Sequence, residues 1–449
     1  MKRLIFCFDG TWNKLSADTP TNVVLTAASI VRQAKDSIPQ IVHYDEGVGT
    51  GQLDRVLGGT MGAGLFQNIR EAYRFLIFNY DPGDELFVFG FSRGAFSAQT
   101  FVGFIRHVGI LRRLHAARID EAVELYKKRS AKDVDVDNGV RAFRARYADN
   151  VCVDRDDDVW RCSNIEGYVA GQAPLLTVKY LGIWDTVEAL GVPDFIPGSS
   201  WLNRRHAFHE AKMSAFVESA RHAVAIDERR STFPVTQWGD LTDLNATKGA
   251  KPEDHDAPYQ EKWFPGNHGS VGGGGDIRGL SDGALAWVLK GAKKSGLVLD
   301  ADAGSRIHGF KPNPLDPLVN VRNPKKGILE RLSTDRPGPK HLWQLSAAAI
   351  RRWNADPQVL PDKKSYRPKT LDGVSSILET SKPQNQSSGS LLTVHTVVTG
   401  DSLSKLAQHY YHDAKLWPLI FEANRDLIDD YDEIFLGWQL RIPARPSSE

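Results

Sequence analysis

The sequence predicts an α/β protein: a mostly parallel, α/β-hydrolase-like sheet with helical inserts, followed by a small C-terminal βααβ domain. Three observations carry this. Short β-rich apolar runs alternate with helical patterns over the first 300 residues. Several of those runs are apolar on both faces, as strands covered by helices on each side must be. A polar, Ser-rich stretch then separates a compact unit with its own apolar stripes.

The expected strands are Leu4–Phe8, Gln40–Tyr44, Glu85–Phe91, Thr177–Trp184 and Glu261–Phe264. Between the second and third, residues 64–80 place Leu65, Ile69, Tyr73 and Leu76 at helical spacing, and residues 92–110 form another apolar helix. Strand–helix–strand alternation argues for parallel pairing. Two segments interrupt it. Residues 111–174 are polar and partly helical, with charge runs such as 154–158; residues 192–227 read as helical and carry Phe195, Trp201, Phe208 and Phe216. Both are surface elaborations or caps over a site. Residues 1–375 are expected to form the large domain and 376–393 a flexible linker around SKPQNQSSGS, leaving 394–445 as the small domain. There Leu403, Leu406, Ala407 and Tyr410 make one helical stripe, Leu416, Ile420 and Phe421 a second, and apolar runs flank both.

Composition sets bounds on function. The 449 residues are 41% hydrophobic and 25% charged, ordinary for a globular core. Lys plus Arg number 56 against 55 Asp plus Glu, a net charge of +1 that offers no long-range attraction to nucleic acid or an anionic membrane. Three cysteines, Cys7, Cys152 and Cys162, are too few for a disulfide scaffold and read as thiols of a chain made in the cytoplasm. The start, MKRLIFCFDGTWN, is too short in apolar residues for a signal peptide, and no stretch is long enough for a transmembrane helix.

The chemistry centres on Gly90-Phe91-Ser92-Arg93-Gly94, which follows ELFVF and opens a helix. So tight a strand-to-helix turn strains the backbone at Ser92 and lifts its hydroxyl above the sheet, beside a helix N-terminus. The alternative is a structural glycine turn. A serine nucleophile needs a base, and the base an orienting acid. Asp185 ends the strand KYLGIWD, where the acid belongs; an N-cap is its plainer role, and Asp227 is the reserve. Of the histidines, His268 lies on a glycine loop after a strand and is favoured over His222, which sits in a helical pattern. The oxyanion hole needs two backbone N–H groups: one from Arg93, one from Gly10 or Thr11 in the loop after the first strand.

The ordered motifs DGTWN (9–13), YDEGVGT (44–50), GFSRGA (90–95), GIWDTV (182–187), RHAVAIDERR (221–230) and WFPGNHGSVGGG (263–274) resemble the type VI secretion lipase effector class. The resemblance implies a serine esterase over roughly residues 1–300, with Ser92 as nucleophile, Asp185 as acid and His268 as base. Its better known members are phospholipases that attack the membranes of competing bacteria. In such proteins an acidic residue commonly stands two positions after the histidine; here that position is Ser270, so its role is absent or passes to Asp276 or Asp282.

The C-terminal unit, with HTVVTGDSLSKLAQHYY (395–411), LIFEANRDLI (419–428) and FLGWQLRIP (435–443), resembles a lysin motif (LysM) domain. This implies binding of N-acetylglucosamine-containing glycans, chiefly peptidoglycan, by loops at Gly400, Asp401, Ser402 and Leu403 and at Asn424 to Ile428; related domains also serve in assembly. The expectation is therefore a phospholipase-like ester hydrolase, exported by a type VI apparatus to a rival's periplasm, with a carrier and an immunity protein as partners. It requires no cofactor or metal, although a calcium ion at the 154–158 carboxylates stays open. A general esterase and a degenerate wall-binding protein are the alternatives.

Overall fold

The structure is a computed structural model. It describes residues 1–10, 18–33, 36–47, 61–128, 134–187, 215–231, 233–300, 311–322, 333–380, 391–398, 400–424, 428, 434 and 438–445, and for 61–63 and 134–136 the backbone alone.

The large domain is built on a six-stranded sheet. In chain order its strands are β1 (Arg3–Phe8), β2 (Gln40–Asp45), β3 (Glu85–Phe91), β4 (Tyr180–Trp184), β5 (Ala220–Ala225) and β6 (Tyr259–Phe264). They lie in the order β2-β1-β3-β4-β5-β6, and every neighbouring pair is parallel. Parallel pairing forces each connection back across a face, so both faces are covered and the central strands are buried almost throughout. β1 is the clearest case, buried along its whole length. Its alternate residues divide between two cores. Leu4, Phe6 and Phe8 pack with α2 (Met61–Asn79) and α3 (Arg93–Val108). Ile5 and Cys7 face the other way, onto α1 (Asn22–Ser29) and the long helix Gly279–Lys294.

Residues 111–174 supply α4 (Ile119–Lys127), α5 (Val134–Tyr147) and α6 (Arg155–Asn164), which close over the α2–α3 layer. Three of the four 154–158 carboxylates have structural partners. Asp154 caps α6, Asp157 pairs with Arg144 and Arg161, and Asp158 accepts from Tyr168 and Gly171. The expected helical insert at 192–227 needs correction. Residues 188–214 lie outside the described part, and Ala220–Ala225 is β5, paired on both sides and wholly buried. The run ARHAVA favours helix locally, but two flanking ladders and burial outweigh a propensity worth a few tenths of a kcal/mol per residue.

The short helix α7 (Thr242–Ala246) precedes β6, and α8 (His268–Gly272) and α9 (Gly279–Lys294) follow it. Residues 333–380 follow with α10 (Ala347–Asn354) and α11 (Asp372–Thr380). This segment packs Leu345, Trp353, Tyr366, Val374 and Leu378 against Val224, Ile226 and Trp263 at the β5–β6 edge. The expected linker segment 376–393 includes the end of α11 and the start of β7 (Leu391–Thr396); its residues 381–390 lie outside the described part.

The small domain pairs β7 with β8 (Gln439–Pro443), antiparallel, around α12 (Leu403–Tyr411) and α13 (Trp417–Ala423). Its core joins Val397, Leu406, Ala407, Ile420, Leu440 and Ile442. It touches the large domain where Trp438 Nε1 donates to Pro312 O at 3.0 Å.

Trp353 tests whether 333–380 belongs to the folded core. Trp353→Ala is expected to cost about 3–5 kcal/mol by denaturant unfolding, because it empties a closed apolar site. Val359→Ala, at a 57% exposed position, is expected to stay within about 0.5 kcal/mol.

Candidate active site

The carboxyl ends of the parallel strands gather the candidate residues. Chain connectivity reverses between β1 and β3, where β1 is flanked by β2 on one side and β3 on the other, and α/β sheets bind ligands at such a switch point. Ser92 stands there. Its φ of 59° and ψ of −126° lie in a region costly for a residue with a Cβ. Ser92 N donates to Trp184 O at 3.0 Å, and Val187 N donates back to Ser92 O at 3.4 Å, tying the elbow to the end of β4. Two glycines permit the turn. A Cβ on Gly90 would come within 2.5 Å of Gly94 O, and one on Gly94 within 2.2 Å of Phe8 O. The start of α3 therefore touches the backbone of β1 directly.

Asp185 follows β4 at φ 38°, also in the left-handed region, and is fully buried. Its Oδ2 lies 2.6 Å from His268 Nδ1. Burial alone would favour the neutral acid, but Arg336 and His268 outweigh it and hold the carboxyl far below the usual carboxylate range. An ionised carboxylate only accepts, so Nδ1 of His268 donates. Nε2 is then the ring nitrogen left to take a proton. His268 opens α8, whose cap Asn267 accepts from Ser270 N at 3.0 Å. Its ring stacks on Phe91, the residue before Ser92, with centroids 4.6 Å apart, while Phe233 meets it edge-on at 4.9 Å. The backbone N–H of His268 donates to Glu228 Oε2 at 3.2 Å.

The reserve residues sit elsewhere. His222 is on β5, not on a helix, and is fully buried. Thr186 N donates to its Nε2 at 3.2 Å, which leaves Nδ1–H to donate to Glu261 at 2.9 Å. Both nitrogens are spent on packing strands together. Asp227 accepts from Gly266 N at 2.7 Å and Tyr366 Oη at 2.8 Å, and burial raises its pKa. It braces the loop that carries His268 without touching the ring.

The oxyanion candidates divide. The N–H of Gly10 donates to Asp9 Oδ1 at 2.7 Å, so it is occupied and that expectation is corrected. Thr11 lies outside the described residues. Arg93 N–H opens α3, where the helix itself offers first-turn amides no acceptor. At the position where an acidic residue is common, the single hydroxyl proton of Ser270 faces two acceptors, Leu318 O at 2.8 Å and Asn267 Oδ1 at 3.0 Å, anchoring the loop. Asp276 and Asp282 instead pair with Arg322 and Arg278.

In the small domain Asp401 Oδ2 accepts from Val398 N and lies 2.8 Å from His395 Nε2, and Ser402 caps α12. Gly400 turns at φ 91°. The side chains of Leu403, Asn424 and Ile428 are buried, which limits any ligand contact there to backbone. Asn424 spends its amide on Ile420 O, Arg441 O and Arg441 N.

Arg336 escaped the sequence reading altogether: it lies 151 residues after Asp185 in a Pro-rich stretch with no periodic pattern.

Comparisons with known proteins now place the chain. The family model described as "T6SS, Phospholipase effector Tle1-like, catalytic domain" matches residues 2–291, and the chain belongs to that family. A LysM domain model matches residues 395–443. An uncharacterized protein of Saccharomyces cerevisiae is 27% identical over 249 residues, 52% of this chain and 32% of its own length. The potassium binding protein Kbp of Escherichia coli is 34% identical over 73 residues, 16% of this chain and 48% of its own. Among solved structures, the Tle1 effector bound to the VgrG spike of the type 6 secretion system aligns at 17% identity and a TM-score of 0.31, over 61% of this chain and 51% of that one. The chain thus spans about a third to a half of the length of these relatives. Among the described residues no helix is long and apolar enough to cross a membrane.

At the end of β2, burial pushes the Asp45 carboxyl up to about 6. A raised folded-state pKa stabilises below the unfolded value, about 3.9, and that contribution is lost as pH rises through 6. Asp45 accepts from Gly47 N and Asn68 Nδ2, which an amide oxygen also does. Asp45→Asn is therefore expected to flatten the fall in stability between pH 4 and 7 by about 1–2 kcal/mol, read from melts across that range.

Proposed function

We propose that this chain is a serine ester hydrolase acting on phospholipid acyl esters. One observation carries the reading: a strained Ser92 at the strand–helix elbow, with the His268–Asp185 pair stacked on the adjacent Phe91. In this mechanism Ser92 Oγ attacks the acyl carbonyl and its proton passes to His268 Nε2. The Arg93 N–H and a donor from the loop after β1 stabilise the tetrahedral oxyanion. The imidazolium, oriented and stabilised by Asp185, then gives the proton to the departing alcohol oxygen as the C–O bond breaks. Water attacks the acyl-enzyme by the same route in reverse, releasing the fatty acid and restoring Ser92.

The phospholipid preference draws on the Arg93 side chain. It is half-buried, burial depresses its pKa, and among the described residues it has no carboxylate partner. An anionic phosphate reaching that position would relieve the uncompensated charge. The membership of the catalytic domain in a phospholipase effector family supports the same substrate class and delivery by a type VI apparatus; a carrier and an immunity protein are the partners this reading calls for. The LysM domain would hold the enzyme on peptidoglycan through the Gly400–Ser402 loop, raising its concentration near membrane lipid.

Purified wild type is expected to release fatty acid from phosphatidylethanolamine/phosphatidylglycerol vesicles, and Ser92→Ala to lose at least about a thousandfold of that rate. Cleavage of p-nitrophenyl octanoate without vesicle cleavage would leave a general esterase; no Ser92-dependent cleavage of either would sink the hydrolase. Arg93→Gln is expected to lower the vesicle rate about tenfold or more, relative to the neutral ester, if the guanidinium meets phosphate. Sedimentation with insoluble peptidoglycan is expected for the full chain and is expected to weaken in Asp401→Ala, which frees the Val398–Asp401 loop.

A further inference from the structure

Asp185 is clamped by a residue that lies beyond the 2–291 family match. Arg336 Nη1 donates to Asp185 Oδ1 at 2.6 Å and Nη2 donates to Oδ2 at 3.0 Å. The fork is itself held: Nη1 also donates to Ala225 O at 3.1 Å, and Nη2 to Phe233 O at 2.9 Å. Ala225 N completes the set by donating to Asp185 Oδ1 at 2.8 Å. Both carboxylate oxygens are thus fixed in one plane, and the one nearer the ring faces His268 Nδ1.

We infer that Arg336 is a positioning residue for the proposed reaction, holding the Asp185 carboxylate ionised against His268 and setting the acidic edge of activity. The inference rests on the reading of Ser92, His268 and Asp185 as nucleophile, base and acid. Two electrostatic effects act with one sign. Arg336 keeps a fully buried carboxylate charged where burial alone favours the neutral acid, which could not stabilise an imidazolium. Its own positive charge also opposes a second cation on the neighbouring ring. Removing it therefore raises the affinity of the coupled Asp185–His268 pair for its first proton, and that proton, on either group, inactivates the pair at a higher pH than before.

The other charged groups around His268 leave this sign unchanged. Glu228 accepts the His268 backbone N–H and pairs with Arg230 at 2.8 Å. Asp227 faces Gly266 and Tyr366, and Arg93 stands on the elbow. α8 itself, HGSVG, contributes no charge besides His268, and Phe91 and Phe233 cover the ring with uncharged faces. A lysine would keep the charge but reach one oxygen, so the bidentate fork is the part that orients.

The test compares full-length wild type, Arg336→Gln and Arg336→Lys in kcat/KM against pH with p-nitrophenyl octanoate. In parallel, NMR of ¹⁵N-histidine-labelled protein follows the ring of His268, assigned with His268→Asn. Arg336→Gln is expected to move the acidic midpoint upward by about one pH unit or more, with Arg336→Lys in between. A residue that only stitches 333–380 to the sheet would lower the rate evenly at all pH, so a midpoint matching wild type in a folded Gln variant overturns the inference. Should the Gln variant not fold, an unshifted Lys variant overturns it. If wild type cleaves no ester, the hydrolase reading fails separately; the His268 NMR midpoint still decides Arg336, rising if the inference holds and unmoved if it does not.

Discussion

A single buried carboxylate organises the functional end of this protein. Asp185 is inaccessible to water, and in a low-dielectric interior an uncompensated charge there would cost several kcal/mol. Every element around it supplies compensation: the amide of Ala225 from β5, the imidazole of His268 from α8 and the guanidinium of Arg336 from the segment after α9. The dependence runs both ways. Arg336, 7% exposed, also needs Asp185, so the charge pair sews the 333–380 layer onto the sheet edge that positions His268. Charge balance and loop placement are here one constraint.

The second constraint is close approach of backbone to backbone. Ser92 adopts its strained turn because Gly90 and Gly94 let α3 start against β1, within distances no side chain would permit. The same economy of space appears in α8, where a Cβ on Gly272 would fall 1.9 Å from the Phe91 ring. The glycines therefore bring the elbow and the histidine loop into contact, and Phe91 becomes the surface that both share. Tightness at this corner keeps Ser92 and the His268 ring in register at the cost of local backbone strain.

The small domain follows a different logic. It has its own core and meets the large domain through a hydrogen bond from Trp438, and its loop at 400–402 is shaped by Asp401 bridging His395 and Val398. Beside it, Asn424 turns its amide inward onto Ile420 and Arg441. A domain with so separate a core is suited to tethering, which changes where an enzyme acts and leaves its chemistry alone.

Local patterns in the chain determined much of this. Alternating apolar runs and helical stripes specify α/β layering because parallel strands buried on both faces must be apolar throughout. A serine between glycines, placed after a strand and before a helix, marks the elbow because only that turn needs all three features together. Two assignments failed for a physical reason. β5 reads as helix because ARHAVA has no strand signature of its own, and its two neighbours in the sheet decide its conformation. The amide of Gly10 is claimed by the side chain next to it, a choice the motif DGTWN does not encode. Arg336 was invisible for the same reason in stronger form. An ion pair between residues 151 apart has no period and no spacing, so only the packing of the 333–380 layer against the sheet could bring the guanidinium to Asp185.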